Sequence, residues 1–256
     1  MDNNEVSKQL YEYFEFSGIT FSSPLHSLEL LEWLKDFDMD PDIPLIVSYP
    51  KSGDVDYQLL TTHLNYQMVP SSAKNRKTKI IYVARNPKDV IVSFYHYHNC
   101  HQYLKTPKDF SEFLEQFVEG NVIYGSWFDH IRDWYSHKDE LDMLFVTYED
   151  MQKDIRSVIE KVASFLNKKL DGETLESIVD HCTFAYMKTN PATNYRAALQ
   201  HINHDIGNFF RKGTVGDWKN HFLVAQNEWF DSIYQKMMAE FPLKLVYDFS
   251  SVSNEQ

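Results

Sequence analysis

Cysteine is scarce in this chain. Only Cys100 and Cys182 occur in 256 residues, which excludes a disulfide framework and suits a reducing compartment. Long apolar runs are absent too. No stretch approaches the roughly 18 consecutive apolar residues of a membrane span. The first residues, Met1-Asp2-Asn3-Asn4-Glu5, carry no basic or apolar leader segment, so no signal peptide is expected and the location is read as cytoplasmic. Positive charge is in short supply, with 25 Lys and Arg against 37 Asp and Glu and a net charge of −12. A chain that acidic is not expected to bind nucleic acid. Glycine numbers only 8, and there is no low-complexity stretch or internal repeat. No flexible linker can be placed, so residues 1–256 read as a single domain.

Aromatic residues are plentiful, with 18 Phe and 16 Tyr. Most are expected to pack a core. Leu28, Leu30, Leu31, Trp33, Leu34 and Phe37 have helical spacing. Leu45-Ile46-Val47-Ser48-Tyr49, Lys79-Ile80-Ile81-Tyr82-Val83-Ala84 and Met143-Leu144-Phe145-Val146-Thr147-Tyr148 read as buried strands. Pro87 suits the first turn of a helix over Asp89 to His98. Thr106, with Asp109 three residues on, is read as the cap of a helix whose apolar face holds Phe110, Phe113, Leu114 and Phe117. Further helices are read around Trp127 to Tyr135 and near residues 150–166, 173–182 and 224–240. Strands alternating with helices predict an α/β domain with a central parallel sheet flanked by helices.

Ligands of such sheets sit beyond the carboxyl ends of the strands. Three strand ends carry polar signatures: Tyr49-Pro50-Lys51-Ser52-Gly53, Arg85-Asn86-Pro87-Lys88-Asp89 and Tyr148-Glu149-Asp150. A Lys-Ser-Gly turn after a strand offers N–H donors and an ammonium to a phosphate, although it lacks the Walker A spacing and is alone no more than a turn. Arg85 ends a strand and suits bidentate phosphate contact, with Ser93 two helical turns beyond; its plain alternative is a surface ion pair. Arg211-Lys212-Gly213, with Gly216-Asp217-Trp218, is a basic turn in an acidic chain, an anion site or a solvated loop. His63 lies in an apolar run, where a histidine is more often a satisfied structural residue than a base. His96 and His98 diverge at i,i+2 on a helix, so no metal site is read there.

Taken in order, these segments resemble the cytosolic sulfotransferases, which use 3′-phosphoadenosine 5′-phosphosulfate (PAPS). Tyr49-Pro50-Lys51-Ser52-Gly53 is similar to the family's 5′-phosphosulfate loop. Lys79 to Asp89 followed by Ser93 is similar to its 3′-phosphate segment. Tyr148 in Thr147-Tyr148-Glu149-Asp150 matches an adenine-contacting tyrosine. Cys182-Thr183-Phe184 through Met187 resembles the adenine-side segment. Phe209-Phe210-Arg211-Lys212-Gly213 with Gly216-Asp217-Trp218-Lys219-Asn220-His221-Phe222 resembles the C-terminal signature. The resemblance implies a P-loop-like sulfotransferase fold and transfer of a sulfuryl group to a hydroxyl or amine of a small acceptor, without metal. It implies that Arg85, Ser93, Arg211 and Lys212 hold the 3′-phosphate. Tyr148 and Phe184 would flank adenine, Lys51 would neutralise charge at the leaving phosphate, and His63 would be the general base. The stretch from Lys219 to Glu228 resembles a short dimer motif, with Leu223 in place of its Thr, which implies a homodimer. The chain's last segment, Pro242 to Asp248, resembles the amine-sulfotransferase branch.

The sequence also departs from that family. After Gly53 come Asp54-Val55-Asp56, and His63 follows within ten residues, where the family has several dozen. The stretch expected but absent between about 53 and 59 holds a crossover helix and part of the acceptor pocket, as a variant transcript would leave it. Thr61 stands where the family has a lysine. Two expectations follow from the short connection: a sheet face left bare, and the alternative of a catalytically impaired chain that binds PAP or PAPS, or dimerises, without turnover.

Overall fold

The structure, a computed structural model, describes residues 12–52, 60–74, 78–191, 193–194 and 201–249. Gly53 and the region of the expected gap lie outside the described residues. The chain enters through a hairpin of β1 (Tyr13–Phe16) and β2 (Ile19–Ser22), turned by Ser17 and Gly18 with positive φ. Helix α1 (Leu28–Asp36) follows, capped by Ser27. The three apolar runs then form β3 (Leu45–Ser48), β5 (Lys79–Ala84) and β6 (Asp142–Thr147). A short strand, β4 (Leu60–Thr62), completes a four-stranded sheet of order β4-β3-β5-β6, in which every pairing is parallel.

Between β5 and β6 run α2 (Pro87–Cys100), α3 (Phe110–Glu119) and α4 (Trp127–Ser136). After β6 come α5 (Tyr148–Lys153), α6 (Ile155–Phe165), α7 (Gly172–His181) and α8 (Phe184–Thr189), and later α9 (Val224–Met237). Two helix boundaries differ from the sequence reading. The cap of α3 is Asp109 rather than Thr106, because its carboxylate accepts the Glu112 N–H at 2.9 Å. The helix read near 150–166 breaks at Asp154, whose extended backbone ends α5 and whose carboxylate caps α6 through the Ser157 N–H.

Alternate residues of each strand face opposite ways. Leu45, Val47, Ile80, Tyr82 and Ala84 join the main core with Phe94, Phe113, Phe117, Trp127 and Trp134. Ile46, Ile81, Val83 and Val146 form a second cluster with Val158, against which Val162 and Phe165 of α6 pack. Val158, Val162 and Phe165 stand at i, i+4 and i+7, one stripe of the helix. The bare sheet face is therefore not found at β3, where Ile46 is 1% exposed and belongs to the same cluster as Val158 of α6. The thinly covered strand is β4 instead: Leu60 is 38% exposed and Thr61 is exposed. Residues 49–59 alone connect β3 to β4. Among the described residues no helix lies between these two strands, as so short a parallel connection requires.

The core holds histidines as well as rings. His130 is fully buried beside Tyr82 and shares a 2.9 Å hydrogen bond with its hydroxyl. His98 donates from Nδ1 to the Lys105 carbonyl oxygen. Burial is the main cause that lowers both, His98 to about 4 and His130 to about 3. Each is neutral in the folded protein at pH 7. The unfolded chain takes up their protons below its ordinary value near 6.5, so stability is complete above that pH and falls as the pH drops toward the folded values. Going from pH 7 to pH 5 is expected to cost about 4 kcal/mol from these two residues together. Urea unfolding at the two pH values measures it, and the loss shrinks in a His98→Gln chain that folds.

Candidate active site

All four strands run the same way, so their carboxyl ends open onto one edge. Tyr49 is buried there and donates its hydroxyl to the Gly125 carbonyl oxygen at 2.8 Å. The chain then turns, with the Ser52 N–H bonded to the Tyr49 oxygen at 3.0 Å and Lys51 at φ 68°. The Lys51 ammonium lies over the Phe209 ring at 3.8 Å and the Tyr97 ring at 4.6 Å. Ser52 is fully buried and its hydroxyl has no partner. Thus the strand-end loop already touches the C-terminal signature.

Arg85 closes the distance between the other segments. At 8% exposure it donates to the Lys51 carbonyl oxygen at 3.1 Å and to the Thr214 oxygen at 3.3 Å. Its guanidinium covers the Tyr148 ring at 4.1 Å, an attractive cation–π geometry. Burial raises the Tyr148 phenol, with the Arg85 and Arg211 charges opposing it. The next residue, Asn86, caps α2 and donates from Nδ2 to both Asp89 and Glu149 at 2.9 Å. Glu149 is 1% exposed, and burial raises its carboxyl although the Asn86 bonds oppose this. Ser93 is half-buried on α2, one turn beyond Asp89.

The basic turn is held by one carboxylate. Asp217 accepts from Arg211 Nη2 and from Lys212 Nζ, each at 2.6 Å, and from Asn220 at 2.9 Å. Burial alone would raise its carboxyl, but these three donors outweigh burial and hold it below the usual carboxylate range. Gly213 follows at φ 68°, and a Cβ there would stand 2.2 Å from the Phe184 ring. Phe184 meets Phe210 at 5.6 Å, and Phe210 meets Phe209 at 5.5 Å. Cys182 is half-buried and burial raises its thiol. Thr183 caps α8 through the Tyr186 N–H, and Met187 lies half-buried one turn past that cap. Contact with the basic turn therefore enters from this segment through Phe184.

His63 follows β4 directly. Its Nδ1 lies 2.8 Å from the Ser48 carbonyl oxygen. A carbonyl oxygen only accepts, so Nδ1 carries a proton, and in the neutral form of the ring the lone pair is on Nε2. Tyr124 presents its ring to the imidazole at 5.2 Å and 76°. In turn, the Tyr124 hydroxyl donates to His26 Nε2 at 3.0 Å, and His26 Nδ1 donates to Ser22 at 3.3 Å. Burial lowers His26, and His63 adds to the effect. His26 and Tyr124 were invisible to sequence reasoning, because 37 and 61 residues separate them from His63 and neither sits in a polar motif. A cavity of about 430 Å³ lined by Asn65, Arg132, Asp133 and Phe241 contains none of the residues predicted for the site.

The geometry joins a basic strand end, a basic C-terminal turn, aromatic rings and a histidine. The chain is similar to known proteins over most of its length. The family described as "Sulfotransferase domain" matches residues 54–242. The amine sulfotransferase of Oryctolagus cuniculus is 39% identical over 285 positions, covering 93% of this chain and 95% of that protein. The chain belongs to the sulfotransferase family. Sulfotransferase 2B1 of Homo sapiens is 36% identical, covering 94% of this chain and 79% of that one. A mouse sulfotransferase crystallised with PAP is 34% identical and superposes with a TM-score of 0.78 over 90% of this chain and 95% of its own. The alignment to the rabbit protein has 285 positions and covers 93% of this chain's 256 residues, about 238, so about 47 positions (285 less 238) have no counterpart here.

Gly213 is the tightest point of the basic turn. Gly213→Ala puts a methyl group into the Phe184 ring and strains a positive φ, at an expected cost of about 2 kcal/mol. Chemical denaturation measures that loss, and nucleotide affinity is expected to fall with it.

Proposed function

We propose that this chain binds PAPS and transfers its sulfuryl group to a hydroxyl or amine of a small acceptor, leaving PAP and a sulfated product. The observation that carries this reading is the meeting of Arg85, Tyr148, Arg211 and Lys212 at the sheet edge that also bears His63, held through Nδ1 by the Ser48 carbonyl oxygen. The residues fit a phosphorylated adenosine. Arg85 Nε, Arg211 Nε and the Ser52 hydroxyl are buried without partners, as groups awaiting an anion's oxygens are. Arg85, Ser93, Arg211 and Lys212 would hold the 3′-phosphate, and the Tyr148 and Phe184 rings would flank the base. Phe209, Phe210 and Gly213 shape that wall, while Cys182, Thr183 and Met187 border it from the α7–α8 junction. Lys51, Ser52 and Gly53 would serve the 5′ side.

PAPS supplies an activated sulfuryl group whose S–O bond to phosphate breaks as the acceptor's oxygen or nitrogen bonds to sulfur. His63 Nε2 takes the acceptor's proton, and the Ser48 carbonyl steadies the imidazolium through Nδ1. Lys51 balances the negative charge that grows on the leaving phosphate. The gap after Gly53 removes donors from that side, which favours slow turnover over loss of nucleotide binding. The exposed Leu223 and Val224, 67% and 76% accessible, support pairing of two chains through residues 219–228. Two free cysteines suit the cytoplasm.

A thermal-shift titration with PAP is expected to raise the melting temperature, as a ligand of the folded state must. Arg85→Ala is expected to weaken binding by about tenfold or more, the loss of a charge-assisted contact. Transfer of radiolabelled sulfate from PAPS to a panel of phenols, alcohols and amines should vanish in His63→Ala. PAP binding without transfer to any acceptor would leave the chain a nucleotide-binding variant, and absence of both would reject the reading. On sedimentation, the chain is expected to run as a dimer and Val224→Glu as a monomer.

A further inference from the structure

Helix α2 turns one stripe toward the C-terminal signature. Asp89, Ser93 and His96 stand at i, i+4 and i+7, on one face of the helix. Asp89 accepts the Gly216 and Trp218 N–H groups, at 2.7 and 3.0 Å, and so fixes the stripe against that segment. Two turns along, the His96 ring meets the His221 ring edge-on at 5.2 Å. His221 Nε2 lies 3.4 Å from the Asp217 carboxylate that holds Arg211 and Lys212. His96 therefore stands beside the same cations, one turn past Ser93. Its Nε2 is buried and has no hydrogen-bond partner. No role above uses it.

A buried imidazole nitrogen beside an arginine and a lysine lacks a partner only until something with acceptor oxygens enters. Resting on the reading of Arg85, Ser93, Arg211 and Lys212 as the 3′-phosphate site, we infer that His96 is a further ligand of that phosphate, donating from Nε2 to one of its oxygens. The charged and titratable groups facing it are Arg211, Lys212, Asp217 and His221, and the Tyr95 ring lies beside it at 5.5 Å. Burial first, then the Arg211 charge, lowers His96 to about 4, so the ring is neutral at pH 7 and carries one proton. A neutral imidazole donates one hydrogen bond without adding to the charge that Asp217 already balances. It thereby reads the 3′-phosphate by shape rather than by charge.

The test compares PAP with adenosine 5′-phosphate, which lacks the 3′-phosphate. Calorimetry at pH 7.5 is expected to show PAP affinity falling about ten- to a hundredfold in His96→Phe, the loss of one hydrogen bond to a charged group. Adenosine 5′-phosphate should change less than about twofold, and His96→Gln, which keeps a donor, should recover part of the loss. Equal weakening of both nucleotides, or no change in either, overturns the inference. If wild-type chain does not prefer PAP over adenosine 5′-phosphate, the 3′-phosphate site itself fails and this inference with it. Nitrogen NMR of the wild-type ring gives a reading that needs no variant: PAP should move the proton onto Nε2, and adenosine 5′-phosphate should not. An unmoved ring with PAP bound rejects His96 as a ligand.

Discussion

One buried carboxylate carries the arrangement. Asp89 is 1% exposed and accepts from Asn86 Nδ2, Gly216 N–H and Trp218 N–H. The last two partners lie 127 and 129 residues further along the chain. A carboxylate removed from water is costly unless its lone pairs are filled, and here backbone donors fill them. The same residue therefore binds the Asn86 cap of α2 and pins the C-terminal segment onto that helix. That tie, with the Arg85 bond to the Thr214 carbonyl oxygen, sets where Arg211 and Lys212 stand relative to Arg85 and Ser93. Lys88, beside Asp89, repeats the logic toward α9, with its ammonium 2.6 Å from Asp231 and 4.4 Å from the Trp218 ring.

Charge balance at this edge is settled before any ligand arrives. Asp217 pairs with two cations at once, and Arg85 rests on carbonyl oxygens and a ring rather than on a carboxylate. A phosphate thus meets one arginine with no acid of its own and two basic groups that share an acid. That division leaves the buried Arg85 charge without a carboxylate of its own among the described residues, and so leaves capacity for an anion.

Much of this was legible in the sequence, for physical reasons that differ by element. β3, β5 and β6 are continuous apolar runs because both faces of a parallel sheet are covered, and such runs stand out. β4 was not read as a strand, since Leu60-Thr61-Thr62 is short, polar and half-covered. The β1–β2 hairpin also went unread, its turn being an isolated Ser-Gly pair. Arg85, Tyr148 and the Arg211-Lys212 turn were found because they end strands or break an acidic composition. The Asp217 clasp, the Asp89 tie and the His26–Tyr124 support of His63 join residues far apart in sequence, and spacing carries no trace of such contacts. The short connection after Gly53 predicted a stripped sheet; Ile46 of β3 is buried in the cluster that holds Val158, while β4 is thinly clothed.

That thin outer strand has a consequence for how the molecule behaves in company. A sheet edge is a row of unused backbone donors and acceptors, ready to recruit a strand from another chain. β4 is three residues long and its neighbour β3 is four. An incoming strand would find a template of three residues, too brief to reward alignment. The shortness that leaves Leu60 in water also keeps the edge from seeding a fibre.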